Sequence, residues 1–173
     1  MSAVSLRIST PRLELYAATA TLARADASDR RRFAALIEAA IPDSWPPDVL
    51  TDVQEYFAAQ LEKGFAVPGW WNWYAILREP RVLIGTAGFT GQPDSEGTAT
   101  LGYSVTEGYE RQGYASEMVG GLLKWMSGTG RVRRVHATTF ARHYGSARVL
   151  EKNAFVCRGV SAEDAAAVDA DCQ

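Results

Sequence analysis

The residues best suited to chemistry lie in the run Leu101-Gly102-Tyr103-Ser104-Val105-Thr106-Glu107-Gly108-Tyr109-Glu110-Arg111-Gln112-Gly113-Tyr114-Ala115-Ser116-Glu117. Its first part has strand character, its middle is a short polar loop, and its end opens a helix at a glycine flanked by small residues. A helix start leaves backbone N–H groups without intrahelical partners and carries roughly half a positive charge, so it suits a phosphate or diphosphate. Gly113 lets an anion approach the backbone closely, and Ala115 keeps that surface low. From Arg111 to Arg148 the basic residues are Arg111, Lys124, Arg131, Arg133, Arg134, Arg142 and Arg148, against the single acid Glu117. Such a stretch can hold a compact anion.

The remaining polar candidates are spread more thinly. Ser146 opens a second short helical pattern and has the side chain of an N-cap, and His143 stands three residues before it. Cys157 and Cys172 have neither CxxC spacing nor a neighbouring His pair, so no metal ligand set is expected. Trp71 and Trp73 share a parity that predicts one strand face, and Trp45 sits beside Pro46 and Pro47 in a predicted loop between helices.

The elements that must carry these residues follow from periodicity. Thr10-Pro11 marks a turn, and Arg12 to Tyr16 alternates as a half-buried first strand. Leu22, Phe33, Leu36 and Ile37 recur at helical spacing, with Ser28 or Asp29 placed to cap the later turns. Prolines 42, 46 and 47 interrupt, and a second amphipathic helix runs from about Val49 to Leu61. From Trp70 three meandering strands follow, turning at Glu79-Pro80 and at Gln92 to Gly97. A helix from about Gly113 to Met126, a strand over Val132 to Thr139, a helix from about Ser146 to Lys152 and a strand at Phe155 to Cys157 complete the order. This is an α+β pattern with one parallel crossover.

The whole chain bounds the function classes. Its 173 residues fit one domain, and 47% apolar with 22% charged residues is ordinary globular composition. A net charge of −2 offers no field for nucleic acid or an anionic membrane. Met1 to Tyr16 lacks the apolar core of a signal peptide, and no run reaches the roughly 18 apolar residues of a membrane span, so a cytoplasmic location is expected. We expect one catalytic domain over residues 1–160. Residues 161–173 form an acidic, Ala-rich tail with the composition of a frayed helix or a disordered segment.

The loop run resembles the acetyl-CoA loop of the GCN5-related N-acetyltransferases (GNAT), which reads Gln or Arg, two residues, Gly, one residue, then Gly or Ala. Gly113 and Ala115 match, while Glu110 stands at the first position, with Arg111 and Gln112 behind it. Thr10-Pro11-Arg12-Leu13, Gly102-Tyr103, Gly113 to Glu117 and Ser146 to Phe155 resemble, in order, the branch that acetylates ribosomal proteins. The resemblance implies an acyl-CoA N-acyltransferase fold: a mixed, mostly antiparallel sheet splayed at the acetyl-CoA site and flanked by about four helices. The family's final strand has no β-rich counterpart after Phe155, so that strand is expected to be lost or replaced.

The same resemblance assigns cofactor contacts to Ser104, Val105, Thr106, Arg111, Gln112, Gly113, Tyr114, Ala115, Ser116 and His143, and catalytic roles to Ser146 and Tyr103. It implies acetyl-CoA as cosubstrate, no metal, and acetyl transfer to a primary amine by direct attack. The amine is a protein or peptide N-terminus or a small amine, in a monomer or homodimer that binds neither nucleic acid nor membrane. Leu150 replaces the tyrosine many members use as general acid, and the acidic residue often found before Gly-Tyr is Leu101 here. A second reading, motivated by Glu110, His143 and Leu150, is a non-catalytic acyl-CoA-binding sensor of the same fold. Trp45 and its prolines are expected to line the acceptor pocket.

Overall fold

The computed structural model describes residues 6–140 and 142–160, and the backbone of 167–172. The elements are β1 Arg7–Ser9, β2 Leu13–Ala17, α1 Ala20–Ser28, α2 Arg30–Ile37, α3 Asp48–Thr51, α4 Gln54–Glu62, β3 Asn72–Leu77, β4 Val82–Phe89, β5 Thr98–Val105, α5 Tyr114–Gly128, β6 Arg134–Phe140, α6 Tyr144–Lys152, β7 Val156–Val160 and β8 Ala167–Cys172. Local chemistry sets several of these boundaries. Thr19 caps α1 by accepting from the Leu22 N–H, and the Asp29 carboxylate accepts from the Arg32 N–H at 2.9 Å. Asp29 therefore divides the expected first helix into two, because its side chain supplies a partner for a new helix start.

All the strands join one sheet in the order β1-β2-β3-β4-β5-β6-β8-β7. The β5–β6 pair is parallel, as the crossover through α5 requires, and the other pairs are antiparallel. β1, which the sequence pattern did not separate, pairs with β2 through Ile8↔Leu15. The sequence also left the sheet open after Phe155. Instead, the backbone of Ala167–Cys172 inserts between β6 and β7, with Ala137↔Ala170 and Cys157↔Ala170 in register. Backbone hydrogen bonding to two neighbours recruits a segment whose side chains carry little strand preference. The chemistry of the tail's side chains lies outside the described residues.

Each face of the sheet has its own core. On one, Leu13, Leu15, Trp73, Leu101, Met118, Leu122, Leu150 and Phe155 bury against α5 and α6. On the other, Tyr16, Tyr74, Ile76 and Leu83 bury against Phe33 and Ile37 of α2 and Leu61 of α4. The expected sharing of one strand face by Trp71 and Trp73 does not occur, because the strand begins only at Asn72. Trp73 packs edge-on to Trp125 of α5 at 5.1 Å, whereas Trp71 meets Phe57 of α4 edge-on at 5.4 Å.

Candidate active site

β5 and β6 pair only from Thr98↔Arg134 to Leu101↔Ala137. Beyond that point β5 runs on to Val105 and β6 to Phe140 without pairing to each other, so the two strands open into a cleft. The backbone groups that face the cleft follow from the ladder on the other side. Thr106 donates its N–H to Ile84 O at 2.9 Å, and Thr100 O accepts from the Thr90 N–H at 3.0 Å. Alternation along the strand then turns Ser104 and Gly102 toward β4, and Tyr103 and Val105 toward the cleft. Of the strand residues singled out by sequence, Val105 presents its N–H and C=O to the opening. Thr106 is buried, with both its N–H and its hydroxyl committed to Ile84 O.

The cleft ends at the loop from β5 to α5. Gly113 is the residue before the helix, at φ 81°, with no side-chain cap on α5. The N–H groups of Tyr114, Ala115 and Ser116 therefore have no intrahelical acceptor. Gly108 and Arg111 also adopt positive φ, 89° and 58°, and fold the loop tightly around this helix start. Glu110, Arg111, Gln112 and Gly113 are exposed. Glu110 thus has access to solvent, while the helix start itself stays electropositive.

A residue pair that the sequence quoted without a role braces this loop. Glu117 accepts from the Thr10 hydroxyl at 2.6 Å, the Arg12 N–H at 2.7 Å and Arg12 Nε at 2.6 Å. Arg12 Nη1 also donates to Gln112 O at 3.0 Å, and its guanidinium stacks over the Tyr114 ring at 4.4 Å. Burial pushes the Glu117 carboxyl up, but these hydrogen bonds outweigh it and hold the group below the ordinary carboxylate range. The single acid of the basic stretch is thereby neutralised inside the fold. The Thr-Pro-Arg-Leu segment and the helix start form one unit.

Across the cleft, α6 begins one turn portion earlier than the sequence suggested. His143 precedes it, and Ser146 lies inside its first turn, so Ser146 is not the cap. His143 is exposed and edge-on to Phe140 at 5.3 Å. Ser146 is half-buried and meets Tyr103: the phenol donates to Ser146 O at 2.9 Å and lies 2.7 Å from Ser146 Oγ. Burial pushes the Tyr103 phenol up, so it keeps its proton. Leu150, at the position of the expected acid, is buried in the α5-side core.

The opposite face corrects the expected acceptor pocket. Trp45 is not a pocket wall: it is 4% exposed, and its Nε1 donates to Asp26 Oδ1 at 2.7 Å. An indole beside prolines looks available in sequence, but burying it with a satisfied N–H is worth more than leaving it in water. Tyr74 donates to the other carboxylate oxygen of Asp26 at 3.1 Å. Burial pushes the Asp26 carboxyl up, opposed by the bonds from Trp45, Gln54 and Tyr74. The aromatic surface that remains open is Trp71 with Phe57 and the 55% exposed Tyr56. On β5, Gly102 is exposed, and an added Cβ there would meet no atom within 4 Å.

Among the described residues there is no group of three or more His, Cys, Asp or Glu that could hold a metal ion, and no helix long and apolar enough to cross a membrane.

Comparison with known proteins gives a consistent outcome. Residues 6–156 match the acetyltransferase (GNAT) domain family. The uncharacterized N-acetyltransferase YjdG of Bacillus subtilis (strain 168) is 29% identical over 119 residues, covering 69% of this chain and 71% of that protein. The ribosomal-protein-S5-alanine acetyltransferase of Vibrio fischeri has a similar fold, with TM-score 0.66, 17% identity and 96% of each chain covered. RimL, a ribosomal L7/L12 α-N-protein acetyltransferase in complex with coenzyme A, aligns with TM-score 0.63 and 19% identity over 96% of each chain.

Proposed function

The chain belongs to the acetyltransferase (GNAT) domain family and is an N-acetyltransferase, and from that premise we propose that it moves acetyl from acetyl-CoA to the primary amine of a peptide N-terminus or a small apolar molecule. The observation that carries this reading is the β5–β6 cleft, which has backbone N–H groups along one wall and ends at an uncapped helix start.

The residues fit the cosubstrate. An extended pantetheine arm can pair with Val105 as an added strand would, and the diphosphate finds the free N–H groups of Tyr114, Ala115 and Ser116 beside Arg111, Gln112 and Gly113. Ser104 shapes the wall on the β4 side, and His143 stands at the rim. When bound, acetyl-CoA supplies an acyl carbon activated by its thioester, whose carbon–sulfur bond breaks as the amide forms.

The protein's own groups act around that exchange. The Val105 N–H is positioned to hydrogen-bond the carbonyl oxygen where negative charge develops. Ser146 turns its hydroxyl proton toward the departing sulfur as a hydrogen bond, and the Tyr103 phenol, 2.7 Å from Ser146 Oγ, swings its own proton from Ser146 O to Ser146 Oγ as it does so. The amine enters over Gly102 as the neutral base and loses its proton to solvent. An α-amino group, with a pKa near 8, supplies far more neutral nucleophile at physiological pH than a lysine side chain. Orientation by the cleft can supply several kcal/mol of barrier lowering without a dedicated base.

The test combines acetyl-CoA binding with thiol release. Ser146→Ala should reduce kcat by about ten- to a hundredfold with little change in KM, since an interaction with the leaving sulfur exists mainly in the transition state. Because Ser146 does not cap α6, stability should change little. Wild-type protein that neither binds acetyl-CoA nor releases thiol with any amine would refute the assignment.

A further inference from the structure

Arg12 lies in the turn between β1 and β2, and its side chain reaches a loop residue 100 positions away in sequence. Its backbone is fixed on both sides. The N–H donates to Glu117 Oε1 at 2.7 Å, and the C=O accepts from the Arg78 N–H at 2.9 Å. The guanidinium is held as well: Nε donates to Glu117 Oε2 at 2.6 Å, Nη1 donates to Gln112 O at 3.0 Å, and the group lies over the Tyr114 ring at 4.4 Å. A guanidinium carries five N–H groups in a rigid fork, and these bonds use two of them. Nη2 donates to none of the described residues.

That unspent nitrogen stands at the start of α5. A Cβ added to Gly113 would lie 3.4 Å from Arg12 Nη2 and, among the described residues, within 4 Å of no other atom outside its chain neighbours. Gly113 is exposed, so the room left by its missing side chain is open and bordered by one cationic nitrogen. The peptide N–H of Tyr114, bonded directly to Gly113, is the first of the N–H groups at this helix start without an intrahelical acceptor.

The loop supplies no net positive charge of its own. From Glu107 to Gly113 it carries two acids, Glu107 and Glu110, against Arg111. Arg111 is exposed, and its side chain bonds to none of the described residues, so an anion would have to order it from solution. Arg12 is already ordered, and a pre-organised fork loses less conformational freedom when it binds. Glu117 meets the guanidinium at Nε and leaves the Nη2 N–H groups able to donate.

We propose that Arg12 is a binding residue for the diphosphate of acetyl-CoA, its Nη2 donating to a phosphate oxygen in the space beside Gly113. The proposal rests on the acetyl-transfer reading above and adds to the loop a contact from a distant part of the chain. A charge-assisted bond to a phosphate oxygen is stronger than one from a neutral N–H. It acts on the phosphates alone, so an acetyl thioester without them does not feel it.

The test compares dissociation constants for acetyl-CoA, by calorimetry, and for phosphate-free S-acetylpantetheine, by competition against acetyl-CoA. The proteins are wild type, Arg12→Gln, Arg12→Lys and Glu117→Gln, each checked for folding by circular dichroism. Arg12→Gln should weaken acetyl-CoA by about tenfold or more, the scale of a lost charge-assisted bond, and leave S-acetylpantetheine within about twofold. Arg12→Lys keeps the charge and loses the fork, so it should weaken acetyl-CoA less and again spare S-acetylpantetheine. That variant reads the proposal even where Arg12→Gln does not fold. Glu117→Gln loosens the brace and keeps the cation, so acetyl-CoA affinity should stay within about threefold of wild type. Equal losses on both compounds in a folded variant at position 12, or a loss in Glu117→Gln as large as in Arg12→Gln, would reduce Arg12 to a brace of the loop and overturn the proposal. An unaltered acetyl-CoA constant in folded Arg12→Gln would overturn it as well, with acetyl transfer left standing. Wild-type protein that does not bind acetyl-CoA at all would overturn the acetyl-transfer reading itself.

Discussion

The two ends of the proposed active site are built from different materials. The end where β5 passes into α5 is made of backbone: unpaired N–H groups, a glycine at φ 81° and a tight loop, all within a dozen residues of one another in sequence. The proposed acceptor end is made of side chains from α1, α4, β3 and β4, among them Asp26 bonded to Tyr74 and Thr86 bonded to Asn72. A backbone-built site must write its requirements locally, as glycine and small residues at fixed spacing. A side-chain-built site can recruit its parts from anywhere the fold brings together.

The two tryptophans of the acceptor side give the strongest test of that contrast. Trp45→Ala removes a buried indole and takes the partner of Asp26 Oδ1, so it should cost about 3–5 kcal/mol, enough to unfold much of the population at 37 °C. Trp71→Ala removes a half-buried ring and should cost far less, while raising the acceptor KM severalfold and leaving acetyl-CoA affinity unchanged. Urea unfolding and steady-state kinetics separate the two. If Trp45→Ala proves stable and defective only in acceptor KM, Trp45 belongs to the pocket after all.

At the backbone end, Gly113→Val should act on the ligand first. Valine at positive φ costs about 1–3 kcal/mol of strain, and its Cβ would stand in ordinary contact with Arg12 Nη2 at 3.4 Å, with the branched methyls beyond it over the anion site. Acetyl-CoA affinity should fall by at least about tenfold, the equivalent of 1.4 kcal/mol, with the far-ultraviolet circular dichroism unchanged. Calorimetric titration giving an unaltered dissociation constant would remove the anion site from this loop.

The contrast also explains what was legible in the sequence. Gly113, Ala115, the meander and the crossover helix could be found because turn chemistry and periodicity are local. The splay of β5 from β6 came from resemblance, since no single residue encodes where a pairing stops. Glu117 was visible as the lone acid among basic residues, but its partners Thr10 and Arg12 lie more than a hundred positions away and only the fold joins them. Asp26 and Asn72 left no signal at all, since a single acid on a helix and an asparagine before a strand are ordinary surface residues. Strand β8 was missed for a related reason. Its Ala and Asp residues lack strand preference, and tertiary pairing on both sides overrides propensity.

Glu117 offers a smaller effect that couples the local loop to its distant brace. Its carboxyl titrates below the ordinary range when folded, so the stability it contributes is present above the unfolded value near 4.3 and is lost as pH falls through the folded value. Glu117→Gln should therefore lower stability by about 1 kcal/mol at neutral pH, the scale of a partly exposed charge-assisted pair. Below about pH 4 the deficit should shrink, because wild type has protonated the same group. A deficit independent of pH would mean that the bonds depend on shape and not on charge.

The smallest effect concerns a backbone requirement that the sequence does not meet with glycine. Ala154 follows α6 at φ 64°, where the helix ending it resembles carries Gly, and its N–H donates to Glu151 O at 3.0 Å. A left-handed alanine costs about 1–2 kcal/mol relative to an unstrained residue. Glycine would relieve that strain, but its unfolded chain is more flexible, which offsets about 0.4–1 kcal/mol. The net gain for Ala154→Gly should be about 0.5–1 kcal/mol, which raises Tm by about 1–4 °C in a chain of this length. Turnover should not change, because Ala154 is exposed and follows α6 at the end remote from Ser146. This separates the two ways a backbone position can matter: Gly113 is tied to the ligand and Ala154 to the helix end alone. If Ala154→Gly left Tm unaltered and changed kcat, the position of α6, and with it Ser146, would depend on that strain, and the division between the two regions would have to be redrawn at α6.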